Sequence, residues 1–123
     1  MIIDNEEFEN DVYPKREGSL IDANNLDLLL EGLGFKVVLR RNLNYQDMNR
    51  EIATFARKTD HENTNMCIVA ILSHGDSGLI FSSDGRSIST EWVLSQFNND
   101  GCPELKGKPK FFILQACRYY KTL

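Results

Sequence analysis

The sequence has no long hydrophobic run, no excess of basic residues and no paired-cysteine pattern, and each absence excludes a class of protein. No apolar stretch approaches the roughly 20 residues that a membrane-spanning helix needs, and no signal peptide is visible at the start. The net charge is −4, from 18 acidic and 14 basic side chains, whereas nucleic-acid binding needs a basic face. We therefore expect one soluble domain of 123 residues that binds neither nucleic acid nor a membrane.

Cysteine is scarce, since the chain has only three, at positions 67, 102 and 117. An odd number without short spacing indicates reduced thiols rather than a disulfide framework, so we expect a cytoplasmic location. Neither His61 nor His74 has the spacing to cysteine or histidine that a zinc site needs. We therefore expect no metal ion and no cofactor.

Strand-like and helix-like segments alternate along the chain, which predicts an α/β fold. The strands are predicted at residues 1–3, 35–39, 66–72 and 110–116, with the last two buried. The helices are predicted at residues 20–33, ending at Gly34, then after Asn44, and after Ser89 or Thr90. A hairpin is predicted around Asp84 and Gly85, and a long polar loop at residues 4–19. This order implies a mainly parallel sheet with helices on both faces, a three-layer α/β/α arrangement.

Polar residues end two of the predicted strands, with SHG at 73–75 and QACR at 115–118. Because the carboxyl ends of parallel strands meet at one edge of a sheet, His74 and Cys117 should emerge together. A cysteine nucleophile needs thiolate character and a partner that handles protons, which histidine supplies near neutral pH. The N–H groups of Gly75 and Cys117 could form an oxyanion hole. Taken singly, a cysteine in an apolar strand and a histidine after one are more often structural than catalytic.

Three longer stretches carry a likeness that single residues do not. They are RxGSxxD at residues 16–22, ILSHGDSG at 71–78 and GKPKFFILQACR at 107–118. Together they resemble the caspase family, and the likeness extends over nearly all 123 residues as that family's large subunit. The resemblance implies the caspase-like three-layer fold, which is incomplete without the small subunit.

The resemblance also implies an activity, that of a cysteine endopeptidase which cleaves after aspartate in programmed cell death. It makes Cys117 the nucleophile, His74 its partner, and Gly75 with the Cys117 amide the oxyanion hole. The backbone carbonyl of Pro14 would orient the histidine.

Recognition of the substrate aspartate falls to three further residues under this resemblance. Arg16 would grip the carboxylate in a bidentate fashion, Gln115 would donate its amide N–H, and Ser73 would line the pocket. The implied partners are a caspase small subunit, a second such heterodimer, and protein substrates with aspartate at the cleavage site.

The chain departs from the family pattern at Tyr119 and at its end. Tyr119 replaces the family's glycine two positions after the nucleophile, and residues 1–123 do not include the family's small subunit. We therefore expect residues 1–123 to be a large-subunit domain truncated at both ends, inactive in isolation. An alternative function is a non-catalytic, caspase-like chain that binds caspase subunits as a decoy or regulator.

Overall fold

A six-stranded mixed sheet forms the middle of the structure, a computed structural model that describes residues 1–118. Its strands are β1 (Ile2–Asp4), β2 (Leu39–Arg41), β3 (Cys67–Asp76), β4 (Leu79–Phe81), β5 (Ser87–Ser89) and β6 (Lys110–Arg118). The α-helices are α1 (Ser19–Gly32), α2 (Tyr45–Ala56) and α3 (Thr90–Ser95). Short 3-10 helices lie at Glu9–Asp11, Thr59–Asn63 and Pro103–Leu105.

The sheet is parallel across four neighbouring strands, in the order β2-β1-β3-β6. β4 runs antiparallel to the end of β3, and β5 antiparallel to β4. The predicted hairpin is confirmed, and its turn contains Gly85 at φ +83°, a conformation that glycine adopts without strain. The prediction of a mainly parallel sheet is confirmed as well.

Helices cover both faces of the sheet, which confirms the three-layer arrangement. On one face, α1 packs against β1 and β3 through Ala23, Leu30, Ile2, Ala70 and Leu72. On the other face, α2 and α3 pack against the same strands through Met48, Ile52, Val93, Ile3, Val69 and Ile71. Among the residues that the structure describes, no helix is long and apolar enough to cross a membrane.

The helix ends follow local sequence rules. The Asn44 side-chain oxygen accepts a hydrogen bond from the Asp47 N–H at 2.8 Å and caps α2. The Ser89 hydroxyl caps α3 in the same way, through the Trp92 N–H at 2.9 Å. After α1, Gly34 takes φ +95°, as the predicted left-handed stop requires.

Two strand predictions are wrong in part. The strand predicted at residues 35–39 begins only at Leu39, because Ile2, the first residue of β1, pairs with Leu39 and no β1 residue lies opposite residues 35–38. The strand predicted as buried at 110–116 is half exposed, with Phe111 at 54% and Ile113 at 42%. Its backbone pairs with β3, but no helix of residues 1–118 covers its α1-side face.

Candidate active site

The two predicted reactive residues lie opposite each other on neighbouring strands. β3 and β6 are in parallel register from Cys67 with Lys110 onwards, and His74 is paired with Cys117. Adjacent strands in a sheet are about 4.8 Å apart. The predicted placement at the carboxyl ends of adjacent parallel strands is therefore confirmed for the backbone, while the catalytic roles of both residues stay predictions.

A backbone carbonyl holds the His74 ring. Nε2 lies 2.8 Å from the Pro14 carbonyl oxygen, and the residue is only 8% exposed. Because a carbonyl oxygen can only accept, Nε2 carries the proton in the neutral ring and the lone pair is on Nδ1. This is the contact with Pro14 that the resemblance implied.

Two aromatic side chains pack against the same ring. The Phe8 and Tyr13 rings lie 5.1 Å and 5.9 Å from the His74 ring, and Tyr13 stacks on Phe81 at 4.5 Å with nearly parallel planes. These contacts attach the polar loop to the hairpin and to the histidine. The sequence analysis missed both aromatic residues, although two aromatic side chains in an otherwise polar loop were a usable signal.

Gly75 is required by packing as well as by any catalytic role. A Cβ at this position would lie 2.4 Å from the Leu79 carbonyl oxygen and 2.5 Å from the Ala116 Cβ, far inside van der Waals contact. The close approach of β4 and β6 to β3 therefore depends on the missing side chain. Loss of activity in a Gly75→Ala variant would report on this packing and could not test the oxyanion hole.

Arg16 lies in a nearly buried network rather than in open solvent. Its side chain is 9% exposed, and Nη1 lies 3.2 Å from Asp4 Oδ1 and 3.1 Å from both the Asn5 carbonyl oxygen and Ser19 Oγ. Nε and Nη2 make no hydrogen bond within residues 1–118, and neither atom is sealed from solvent. The Nη1 side of the guanidinium is therefore held by the protein, while the N–H groups of Nε and Nη2 can still donate to a bound ligand.

Gln115 lies on the same face of the sheet as Asp4. Asp4 pairs with Leu72 on one side, and Leu72 pairs with Gln115 on the other. Phe112 and Leu114 pack toward α2 and α3, so the alternation of side chains places Gln115 on the α1 face, where it is exposed. Two strand spacings separate Asp4 from Gln115 by about 10 Å. The register thus brings Gln115 near the Asp4–Arg16 pair.

Ser73 does not join this group. Its hydroxyl donates a hydrogen bond to the Phe81 carbonyl oxygen at 2.6 Å, and the residue is fully buried. The side chain therefore fastens β3 to the hairpin, and its place in a substrate pocket stays a prediction. Tyr119, the departure from the family pattern, lies outside the described residues.

The two remaining cysteines have the properties of structural thiols. Burial raises the pKa of the Cys67 thiol to about 11 and also raises the pKa of Cys102. Both are free thiols packed in the core, where a protonated sulfur is a poor nucleophile. Within the described part of the chain, no group of three or more His, Cys, Asp or Glu residues is placed to hold a metal ion.

Comparisons with known proteins identify the family of this chain. A family model described as the caspase domain matches residues 1–122. Caspase-2 of Gallus gallus is 36% identical over 107 residues, which cover 87% of this chain and 25% of that protein. Caspase drICE of Drosophila melanogaster is 36% identical over 118 residues, which cover 96% of this chain and 34% of that protein.

A solved structure described as pro-sf-caspase-1 superposes with a TM-score of 0.88 at 33% identity. The match covers 99% of this chain and 46% of that one. The chain thus spans less than half the length of each of these three relatives. A family model that matches nearly every residue, together with these relatives, shows that the chain belongs to the caspase family.

Proposed function

We propose that this chain is the large-subunit part of a cysteine endopeptidase that cleaves proteins after aspartate in programmed cell death. The observation that carries the proposal is the pairing of His74 with Cys117 across two parallel strands. The hydrogen bond from His74 Nε2 to the Pro14 carbonyl supports it, because that bond fixes a tautomer whose Nδ1 can exchange a proton.

In the proposed reaction, Nδ1 of His74 takes the proton of the Cys117 thiol, and the sulfur attacks the carbonyl carbon of the scissile bond as a thiolate. The N–H groups of Gly75 and Cys117 bind the resulting oxyanion, and His74 gives a proton to the leaving amine nitrogen. A water molecule, deprotonated by the same imidazole, then hydrolyses the thioester and restores the thiol. In both steps the hydrogen bond between Nε2 and the Pro14 carbonyl keeps the imidazole ring in the same orientation.

The proposed binding of aspartate rests on the anchored guanidinium of Arg16. Nε and Nη2 form the edge of a planar fork, which matches the two oxygens of a carboxylate. Arg16 is two residues from Pro14, a stretch that spans at most about 7 Å, so the guanidinium belongs to the same loop that touches His74. Gln115, exposed on the same face of the sheet, can donate to the same carboxylate.

A caspase small subunit is the proposed partner, and β6 is its proposed docking strand. Phe111 and Ile113 are exposed apolar side chains on a strand whose backbone pairs only with β3 in the described chain. Such an edge takes up a further strand readily. We also propose a second such heterodimer as a partner, on the family resemblance alone. We also propose a reducing compartment, the cytoplasm, which the free thiols of Cys67 and Cys102 support.

The relatives described above are all caspases by name, which favours an enzyme over a non-catalytic decoy or regulator. The test is to assemble residues 1–123 with a small subunit from a caspase relative and to measure cleavage of peptides that carry aspartate or asparagine at the cleavage position. We expect cleavage after aspartate only, and its loss in both Cys117→Ala and His74→Ala.

Arg16→Ala sharpens the same experiment. We expect it to lose about 2–5 kcal/mol of transition-state binding, the range for truncation of one buried charged partner. Arg57→Ala is the matched control, because Arg57 is an exposed arginine at the end of α2. An assembled protein that binds small subunit but cleaves no aspartyl peptide would favour the decoy instead.

A further inference from the structure

We propose that Asp4 is a positioning residue for Arg16, and that it sets how strictly the enzyme distinguishes aspartate from glutamate. The inference rests on the proposed function, in which Arg16 binds the substrate carboxylate. Asp4 ends β1 and is completely buried, with 0% exposure. A buried carboxylate is costly unless it is paired, so its partners are informative.

The two oxygens of Asp4 face different arginines. Oδ1 lies 3.2 Å from Arg16 Nη1 and also accepts a hydrogen bond from the Ser19 hydroxyl, while Oδ2 lies 3.2 Å from Arg41 Nε. Glu6 pairs with Arg41 and has no ion pair with Arg16 in the described chain. Asp4 is thus the carboxylate that holds Arg16, and Arg41 in turn fixes the orientation of Asp4.

The anchoring is confined to one nitrogen of the guanidinium. Nη1 has two N–H bonds, and three acceptors surround it: Asp4 Oδ1, the Asn5 carbonyl oxygen and Ser19 Oγ. The Nε–Nη2 edge lies opposite Nη1 across the rigid, planar group. Fixing Nη1 from three directions therefore fixes the plane and the direction of the edge that is left to receive a substrate carboxylate.

A purely structural role for Asp4 is the competing explanation, because the same contacts join β1 to α1 and β2. The two roles predict different measurements. A structural anchor would change stability and the fraction of active enzyme. A positioning residue would change how each active enzyme molecule discriminates between side chains that differ by one methylene, since a loosely held guanidinium can follow the longer glutamate.

The experiment compares Asp4→Ala and Asp4→Asn in the assembled protease, with rates expressed per titrated active-site thiol. Substrates carry aspartate or glutamate at the cleavage position. For Asp4→Ala we expect KM for the aspartyl peptide to rise about tenfold, with a smaller change in kcat, because misplacement of a binding group by about 1 Å already costs on this scale or more. The preference for aspartate over glutamate should shrink. Asp4→Asn keeps an oxygen acceptor for Nη1 and should restore most of that preference.

Asp84→Ala is the control for lost stability without contact to Arg16. Asp84 accepts hydrogen bonds from the Ser82 hydroxyl and the Tyr45 N–H in the hairpin turn, so its removal should lower stability and leave the substrate preference unchanged. If Asp4→Ala does not fold, Ser19→Ala replaces it, because that change removes one of the three acceptors around Nη1. We expect it to raise KM about threefold and to reduce the preference in the same direction.

The inference is overturned if the folded variant, Asp4→Ala or Ser19→Ala, keeps the wild-type KM and the wild-type preference for aspartate over glutamate. Loss of stability alone would leave only the structural role. A wild-type assembly that cleaves no aspartyl peptide would instead refute the proposed function, and the inference with it. The two failures are thereby distinguishable.

Discussion

β3 and β6 are neighbouring strands in parallel register, yet β3 is covered on both faces and β6 on only one. In β3, Val69, Ala70 and Ile71 are almost completely inaccessible, because helices cover both faces of the sheet there. In β6, Phe111 and Ile113 expose about half of their surface on the α1 side. The same apolar sequence pattern therefore belongs to a strand that is buried on both faces, β3, and to a strand that is exposed on its α1 side, β6.

The two strands also place their cysteines at opposite ends of the shared ladder. Cys67 is at the first pair, opposite Lys110, and Cys117 is near the last, opposite His74. The first end is enclosed in the core, and burial raises the pKa of the Cys67 thiol to about 11. The last end adjoins the polar loop of Pro14 and Arg16. Position along one ladder thus separates a structural thiol from a candidate nucleophile.

Thiol labelling is expected to show the largest difference between the two ends. At pH 7.5 a thiol with a pKa near 11 is ionised in only about 3 of 10,000 molecules, so Cys67 should react at least about 100-fold more slowly with iodoacetamide than Cys117. Because its pKa is raised, labelling of Cys67 should increase about tenfold per pH unit until about pH 11. Peptide mapping after timed labelling measures both rates. Equal rates at the two sites would remove the distinction.

Alanine substitutions on the two strands should differ next most. Ile71→Ala removes a fully buried side chain and should lower the free energy of unfolding by about 2–5 kcal/mol. Ile113→Ala, on the exposed face of β6, should cost about 1 kcal/mol in the chain alone. Urea unfolding of both variants provides the comparison, and added small subunit should increase the cost of Ile113→Ala. Similar costs in the chain alone would mean that β6 is already covered.

Self-association should show the smallest effect. If the uncovered face of β6 drives association, Phe111→Ser should weaken self-association of the chain by about 3- to 10-fold, a loss of about 1 kcal/mol. Leu28→Ser is the matched control, because Leu28 is also an exposed apolar residue, at 67% against 54% for Phe111, and lies on α1. Sedimentation velocity over a concentration series measures the change. A larger effect from Leu28→Ser would show that α1, and not β6, carries the surface through which the chain self-associates.

Local features of the fold were predictable from the sequence, and features that depend on distant segments were not. The caps at Asn44 and Ser89 and the stop at Gly34 are set by residues a few positions away, and all three are confirmed. The burial of β6 was predicted wrongly, because an apolar run carries no information about whether another element covers it. The start of β2 depends on its register with β1, which is also non-local.

The same division applies to the candidate site. The meeting of His74 with Cys117 could be predicted because parallel strands bring their ends to one edge. Asp4 was missed because its importance comes from contacts between a polar loop, a strand end and a helix start. No periodicity in residues 4–19 encodes those contacts. Tyr119 lies outside the described residues, and its effect on the nucleophile stays a prediction.

The acceptor that holds His74 belongs to the main chain, so it is invisible to side-chain mutagenesis. Every amino acid at position 14 carries the same carbonyl, and an alanine scan through the loop would leave the acceptor in place. What a substitution can change is the path of the backbone, which the proline ring restricts at φ. Substitutions at position 14 can therefore change the side chain without removing the acceptor, provided that the backbone keeps its path. Replacing the amide between residues 14 and 15 by an ester would weaken the carbonyl as an acceptor. Such a chemical replacement would test a contact that no amino-acid substitution removes.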